Sequence, residues 1–162
     1  MKMVGRKLVI VAIYLVIGLW TTNATLWAAN LDIGTWKLNL AKSKYSPGPP
    51  AKSGTRTCEA DGDGIKCTFE GVNPEGKPFS GHHTASYDGK DNPVMGEGMP
   101  YDTVALKRID AHTVEFTTKK DGKVVGTGKR VVSKDGKVMT TTVTGVNAKG
   151  EKFHNIVVYD KQ

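Results

Sequence analysis

The chain has 162 residues, 38% hydrophobic and 24% charged, with a formal net charge of +7. That is the length of one domain with a modest core. Its lysines occur at nearly every turn and form no basic block interleaved with aromatics, so the charge reads as solvated loop tips and strand edges and argues against nucleic-acid binding.

Lys2, Arg6 and Lys7 precede an apolar run from Leu8 to Trp20, and small and polar residues follow. This is the order of a secretory signal peptide. Thr22-Asn23-Ala24 and Trp27-Ala28-Ala29 are the candidate cutting sites, so residues 1–29 are read as a signal cleaved between 24 and 29, and 30–162 as the mature domain. An uncleaved anchor is the competing reading, because Leu8 to Ala29 spans 22 residues, enough to cross a bilayer if Thr21, Thr22, Asn23 and Thr25 are tolerated. Without the leader about 133 residues remain and the net charge falls to +4. No cysteine stands near the cleavage region to take a lipid. The expectation is an exported protein, periplasmic or secreted, monomeric and free of the membrane once the signal is removed.

The mature region opens on Gly34-Thr35-Trp36-Lys37-Leu38, where the glycine lets the chain bend into a first strand and the indole of Trp36 is placed to lie across a barrel end. From Ala41 to Gly54 runs the one long linker, whose Ser46-Pro47-Gly48-Pro49-Pro50 opposes both helix and central strand. Cys58 and Cys67 follow, with Gly62-Asp63 midway between them. Folding the chain there pairs Ala60 with Ile65, Glu59 with Lys66 and Cys58 with Cys67, so in an exported protein the two thiols are expected to form a disulfide across a hairpin.

Beyond that point glycine turns recur at Asn73-Pro74-Glu75-Gly76-Lys77, Asp88-Gly89-Lys90, Asp121-Gly122-Lys123, Asp135-Gly136-Lys137 and Asn147-Ala148-Lys149-Gly150. The segments between them predict strands near 34–40, 54–60, 65–72, 78–87, 102–109, 112–119, 124–133, 138–146 and 152–160. Asp91 to Pro100 reads as a second irregular loop. No amphipathic helical stretch competes. The pattern predicts an all-β fold, a single antiparallel up-and-down barrel of eight to ten strands, because closure removes the exposed edges of such a meander. Thr68–Phe79 and Thr142–Phe153 are similar to one another, which either an internal repeat or common turn chemistry would produce.

Gly34-Thr35-Trp36-Lys37-Leu38, Lys134-Asp135-Gly136-Lys137-Val138-Met139-Thr140 and Val158-Tyr159-Asp160-Lys161 resemble the corresponding parts of the lipocalin and fatty-acid-binding protein superfamily, and the mature chain also resembles exported lipocalin-like proteins of bacteria. The resemblance implies a lipocalin-like barrel holding a small apolar or amphipathic ligand. Two departures stand out. The fatty-acid-binding proteins carry a helix-turn-helix lid where this chain has its proline-rich linker. They also end on Arg-x-Tyr, which holds the ligand carboxylate, and here Tyr159 matches the tyrosine while Val157 takes the arginine's place.

Arg130 could replace that arginine or cap the barrel beside Trp36 by stacking. The expected ligand contacts are Tyr87, Arg130, Phe153 and Tyr159, with Gly34 and Trp36 structural. The alternative is a barrel filled by its own side chains that works through its outer face as an envelope interaction protein, for example an inhibitor. Nothing points to an enzyme, a cofactor or a metal. His82 and His83 are adjacent, so on a strand they face opposite ways, and no nucleophile elbow or phosphate loop is present. Glu70 and Glu115 read as outward residues.

Overall fold

Strand-forming runs separated by glycine turns make eleven strands over residues 30–162, the residues that the computed structural model describes. The leader read over 1–29 lies outside them. The strands are β1 (Gly34–Leu38), β2 (Lys44–Ser46), β3 (Ser53–Asp61), β4 (Gly64–Val72), β5 (Pro78–Ala85), β6 (Asp88–Glu97), β7 (Thr103–Arg108), β8 (Thr113–Lys120), β9 (Lys123–Val132), β10 (Val138–Val146) and β11 (Lys152–Lys161). β1 pairs with β3, each later strand pairs antiparallel with the next, and β11 returns to pair with β1. Ten strands therefore close a barrel, and no long edge is left for another chain to extend.

The expected hairpin about Gly62-Asp63 forms with the anticipated register, Cys58 opposite Cys67, and the two are joined in a disulfide with Cα atoms 4.2 Å apart. Gly34 has φ +121°, a conformation that admits glycine and little else, and it sits opposite Cys58 where β1 begins.

Three expectations are corrected. Residues 91–100, read as a loop, belong mostly to β6, and Asp88-Gly89-Lys90, read as a turn, forms the start of that strand. The chain reverses one step earlier, at Ser86 and Tyr87, and Gly89 (φ +79°) lies at a bulge between Asp88 and Asp91. Pro93 is tolerated because of where its missing N–H would point. Val94 donates its N–H to Asp102 on the β7 side, so Pro93 faces β5, and pairing with β5 stops at His83 and Val94. The linker is also less irregular than expected. A 3-10 turn at Leu40–Lys42, capped by the Asn39 side chain, leads into β2, which adds to β11 at His154–Ile156.

The strand connections at 61–64, 86–87, 109–112 and 133–137 gather at one end together with the chain start, and those at 73–77, 98–102, 121–122 and 147–151 gather with the linker at the other. The first end is densely filled. Trp36, fully buried, packs there with Val132, Met139, Leu31 and Tyr159, and its indole Nε1 donates to the Asp32 carbonyl at 2.9 Å. A second cluster of Cys58, Cys67, Ile65, Ala85, Val94, Val104, Leu106 and Val114 continues up one wall.

Candidate functional site

Alternation along each strand sends one set of side chains inward, and at the filled end these make a polar plug inside an apolar shell. Arg130 on β9 donates from Nη2 to Asp32 at 2.7 Å and from Nε to both carboxylate oxygens at 3.2 Å, with each partner about 5% exposed or less. The Tyr87 hydroxyl lies 3.2 to 3.3 Å from Asn30 and Asp32 side-chain oxygens, and the Arg108 guanidinium sits 3.9 Å above the Tyr87 ring. Burial alone would raise the Asp32 pKa, but the charges of Arg130, Arg56 and Arg108 outweigh it and hold the carboxyl below its ordinary value.

Two of the four expected contacts, Tyr87 and Arg130, thus come together on the segment 30–32. The cation over the Trp36 ring is Lys161, at 5.0 Å, the position the sequence reading had offered to Arg130. Tyr159 lies beside Trp36 and Met139. Phe153 is at the opposite end of β11, opposite Gly145.

Halfway up the wall is a cluster that the sequence reading missed. Arg56 faces Trp36 on one side and Phe69 on the other, and Cys67 faces both Cys58 and His83. The Arg56 guanidinium is 7% exposed, lies 5.3 Å from the Phe69 ring centroid and donates from Nη2 to the Cys67 sulfur at 3.2 Å, a weak acceptor. Its Nε has no hydrogen-bond partner among the described residues. His83, 4% exposed, stacks on the same Phe69 ring, and neither of its ring nitrogens is partnered. Burial first, and then the charge of Arg130, bring the Arg56 pKa down to about 10. Burial, with the Arg56 and Arg130 charges, brings His83 down to about 3.

One signal could have revealed this cluster. Arg56 shares its face of β3 with Cys58, so the hairpin register that turns the disulfide inward turns Arg56 inward with it.

His83 carries a consequence for acid stability. Its folded pKa lies below the ordinary 6.5, so the unfolded chain takes up the proton first and stability, complete above about pH 6.5, declines as pH falls toward about 3. His83→Leu is expected to flatten that decline between pH 6.5 and 4, as read from urea midpoints across the range.

The upper half of the interior is shaped by a recurrent pairing. All four phenylalanines of the chain face a glycine on a neighbouring strand: Phe69 faces Gly81, Phe79 faces Gly71, Phe116 faces Gly128 and Phe153 faces Gly145. A Cβ added at Gly71 or Gly128 would come within 2.6 Å of the facing ring, and at Gly145 within 2.8 Å, so these three rings lie flat over bare backbone. The similar segments Thr68–Phe79 and Thr142–Phe153 share this arrangement. Each is a hairpin with a Gly–Phe pair below a turn in which Asn73 or Asn147 accepts from the backbone through its side chain and exchanges backbone hydrogen bonds across the loop.

Glu70 and Glu115 are exposed, as expected, and His82 is exposed while His83 is buried. Among the described residues no three His, Cys, Asp or Glu side chains gather as a metal would require. Two open surface recesses, one of about 510 Å³ running across Ala105, Thr117, Thr127 and Thr144 and one of about 350 Å³ beside Leu38 and Asp160, contain no buried unpartnered polar side chain.

This geometry defines a closed, ten-stranded antiparallel barrel. No protein-family model matches the sequence, and no curated protein is significantly similar to it. Solved structures do match, among them zebrafish ileal bile acid-binding protein complexed with cholic acid, at 13% identity and a TM-score of 0.52, covering 82% of this chain and 99% of that one. At that identity the likeness is one of fold.

Proposed function

We propose that the barrel binds a small apolar or amphipathic molecule in its interior, and that the protein acts by binding and not by catalysis. The observation that carries this is the closure of ten strands around inward positions that are small or laid flat. Eight strands already give an interior that side chains just fill or that admits one small ligand, and ten enclose more. Here one wall presents Gly126, Gly128, Thr141, Val143 and Gly145, and the Phe79, Phe116 and Phe153 rings lie against the backbone. Phe69, Phe116, Tyr101 and Tyr159 face the interior and still keep accessible surface. The shared fold of a bile acid-binding protein supports the same reading.

On this proposal Phe153 and Tyr159 line the ligand, whereas Tyr87 and Arg130 form the floor beneath it. The disulfide and the signal-like segment over residues 1–29 support export to the periplasm or the medium, where such a bridge persists. No helix among the described residues is long and apolar enough to cross a membrane. Native mass spectrometry of the purified mature protein, before and after incubation with a lipid extract of the producing cells, tests the proposal. A discrete adduct of a few hundred daltons is expected. A spectrum of bare protein under both conditions would favour the alternative of a filled barrel that works through its outer face.

A further inference from the structure

We propose that Arg56 and His83 form an anion-binding subsite on the β3–β5 wall, so that the ligand carries a single negatively charged head group which docks beside the disulfide. The proposal rests on the interior-binding reading above and narrows its ligand class.

The charge balance of the interior is the first argument. Among the described residues three guanidinium and carboxylate groups are buried, Arg56, Arg130 and Asp32, and the carboxylate is fully committed. It accepts three hydrogen bonds from Arg130 and lies within reach of the Tyr87 hydroxyl. Among the described residues Arg56 has no ion-pair partner; it touches a sulfur and an aromatic face, and Asp32 acts on its charge only from a distance. A buried cation without a counter-ion is expensive to maintain, and burial in such a setting is ordinarily accompanied by pairing.

The second argument is the unpartnered hydrogen-bonding capacity around it. Arg56 Nε and both nitrogens of His83 are buried and unsatisfied, and the two side chains meet over the same Phe69 ring. Buried polar nitrogens are partnered almost without exception, and two of these three, Arg56 Nε and one nitrogen of His83, are donors that an oxyanion would satisfy. Neutral His83 offers one N–H beside the guanidinium, which suits an oxyanion. Tyr101 and Tyr159 flank the charge, and the Phe69 and Phe116 rings provide an apolar continuation for the remainder of an amphipathic molecule.

The position is distinct from the C-terminal strand, where Val157 offers no charge, and from Arg130, whose charge is already neutralised. It places the head group between β3 and β5, next to Cys67 of β4.

Paired fluorescent probes test the proposal: 1-anilinonaphthalene-8-sulfonate, an anionic amphiphile, and N-phenyl-1-naphthylamine, which shares its ring system and lacks the charge. Both are titrated into the disulfide-bonded mature protein and into its Arg56→Met and Arg56→Lys variants, with thermal melts of each unliganded protein. For Arg56→Met the sulfonate is expected to weaken at least tenfold and the neutral probe to change less than twofold, while the melting temperature holds or rises because an unpaired buried charge has been removed. Arg56→Lys is expected to restore part of the sulfonate affinity. Equal weakening of both probes with a lowered melting temperature would make Arg56 scaffold and overturn the proposal. Unchanged sulfonate binding in Arg56→Met would overturn it while leaving the interior-binding reading intact. If neither probe binds the wild-type protein, the interior-binding reading falls and this subsite falls with it.

Discussion

Asp32→Ala is expected to destabilise the barrel by about 3–5 kcal/mol, the cost of leaving a buried guanidinium without its counter-charge. Arg130 is almost fully buried and donates its hydrogen bonds to this one carboxylate, and Arg56 adds a second positive charge to the same interior. Removing Asp32 leaves Arg130 unopposed and takes from Arg56 the nearby negative charge that acts on it across the interior. The double variant Asp32→Leu/Arg130→Met should lose much less than either single variant, because it removes the charge and its partner together and fills the space with apolar atoms. Chemical denaturation of the wild type, Asp32→Leu, Arg130→Met and the double variant measures the coupling. The pair also has a pH signature. Because the folded pKa of Asp32 lies below its ordinary value, the stability it contributes is complete above about pH 4 and is lost as pH falls through the folded value. That loss should be missing from the double variant.

Gly128→Val is the second substitution with a large expected effect, a loss of roughly 3 kcal/mol or failure to fold, in line with overpacking of a tight interior. A Cβ at this position would run into the Thr142 carbonyl oxygen and would stand 2.6 Å from the edge of the Phe116 ring. Backbone cannot yield here, because β9 is paired on both sides, with β8 at Phe116 and with β10 at Val143. The ring would have to swing into the interior. Thermal melts compare this variant with Gly136→Val, where an added Cβ meets nothing within 4 Å but a positive φ is imposed on a side chain. The Gly136 variant is expected to lose less, and the partner change Phe116→Ala in the Gly128→Val background should recover part of the loss. If Gly128→Val folds with unchanged stability, the flattened rings are not a constraint of the barrel.

The regular spacing of glycine turns was enough to predict an all-β antiparallel barrel, because hairpin turns demand backbone conformations that few other residues adopt. The same local logic gave the Cys58–Cys67 register. A two-residue turn allows little freedom in which residues face each other, so the bridge was legible before any tertiary contact was known. Local signals failed where the backbone departed from regular pairing. Pro93 and the glycines around it read as a loop, and only the early end of the β5–β6 ladder made a strand possible there.

The candidate site divides along the same line. Sequence supplied Tyr87, Arg130, Phe153 and Tyr159 as polar or aromatic residues of barrel strands, which is a statement about residue type. It could not say that Arg130 and Tyr87 meet the segment 30–32, since the pairing joins residues 98 apart in the chain. Nor could it distinguish Arg56 from the many cations at turns and edges, because a charged residue is ordinarily outside. Strand order and facing direction were local properties, fixed by turns and by period-2 alternation. Which charge is neutralised and which is left unpaired depended on the closing of β11 onto β1, because only a closed wall puts one carboxylate and two guanidinium groups into the same small, low-dielectric interior.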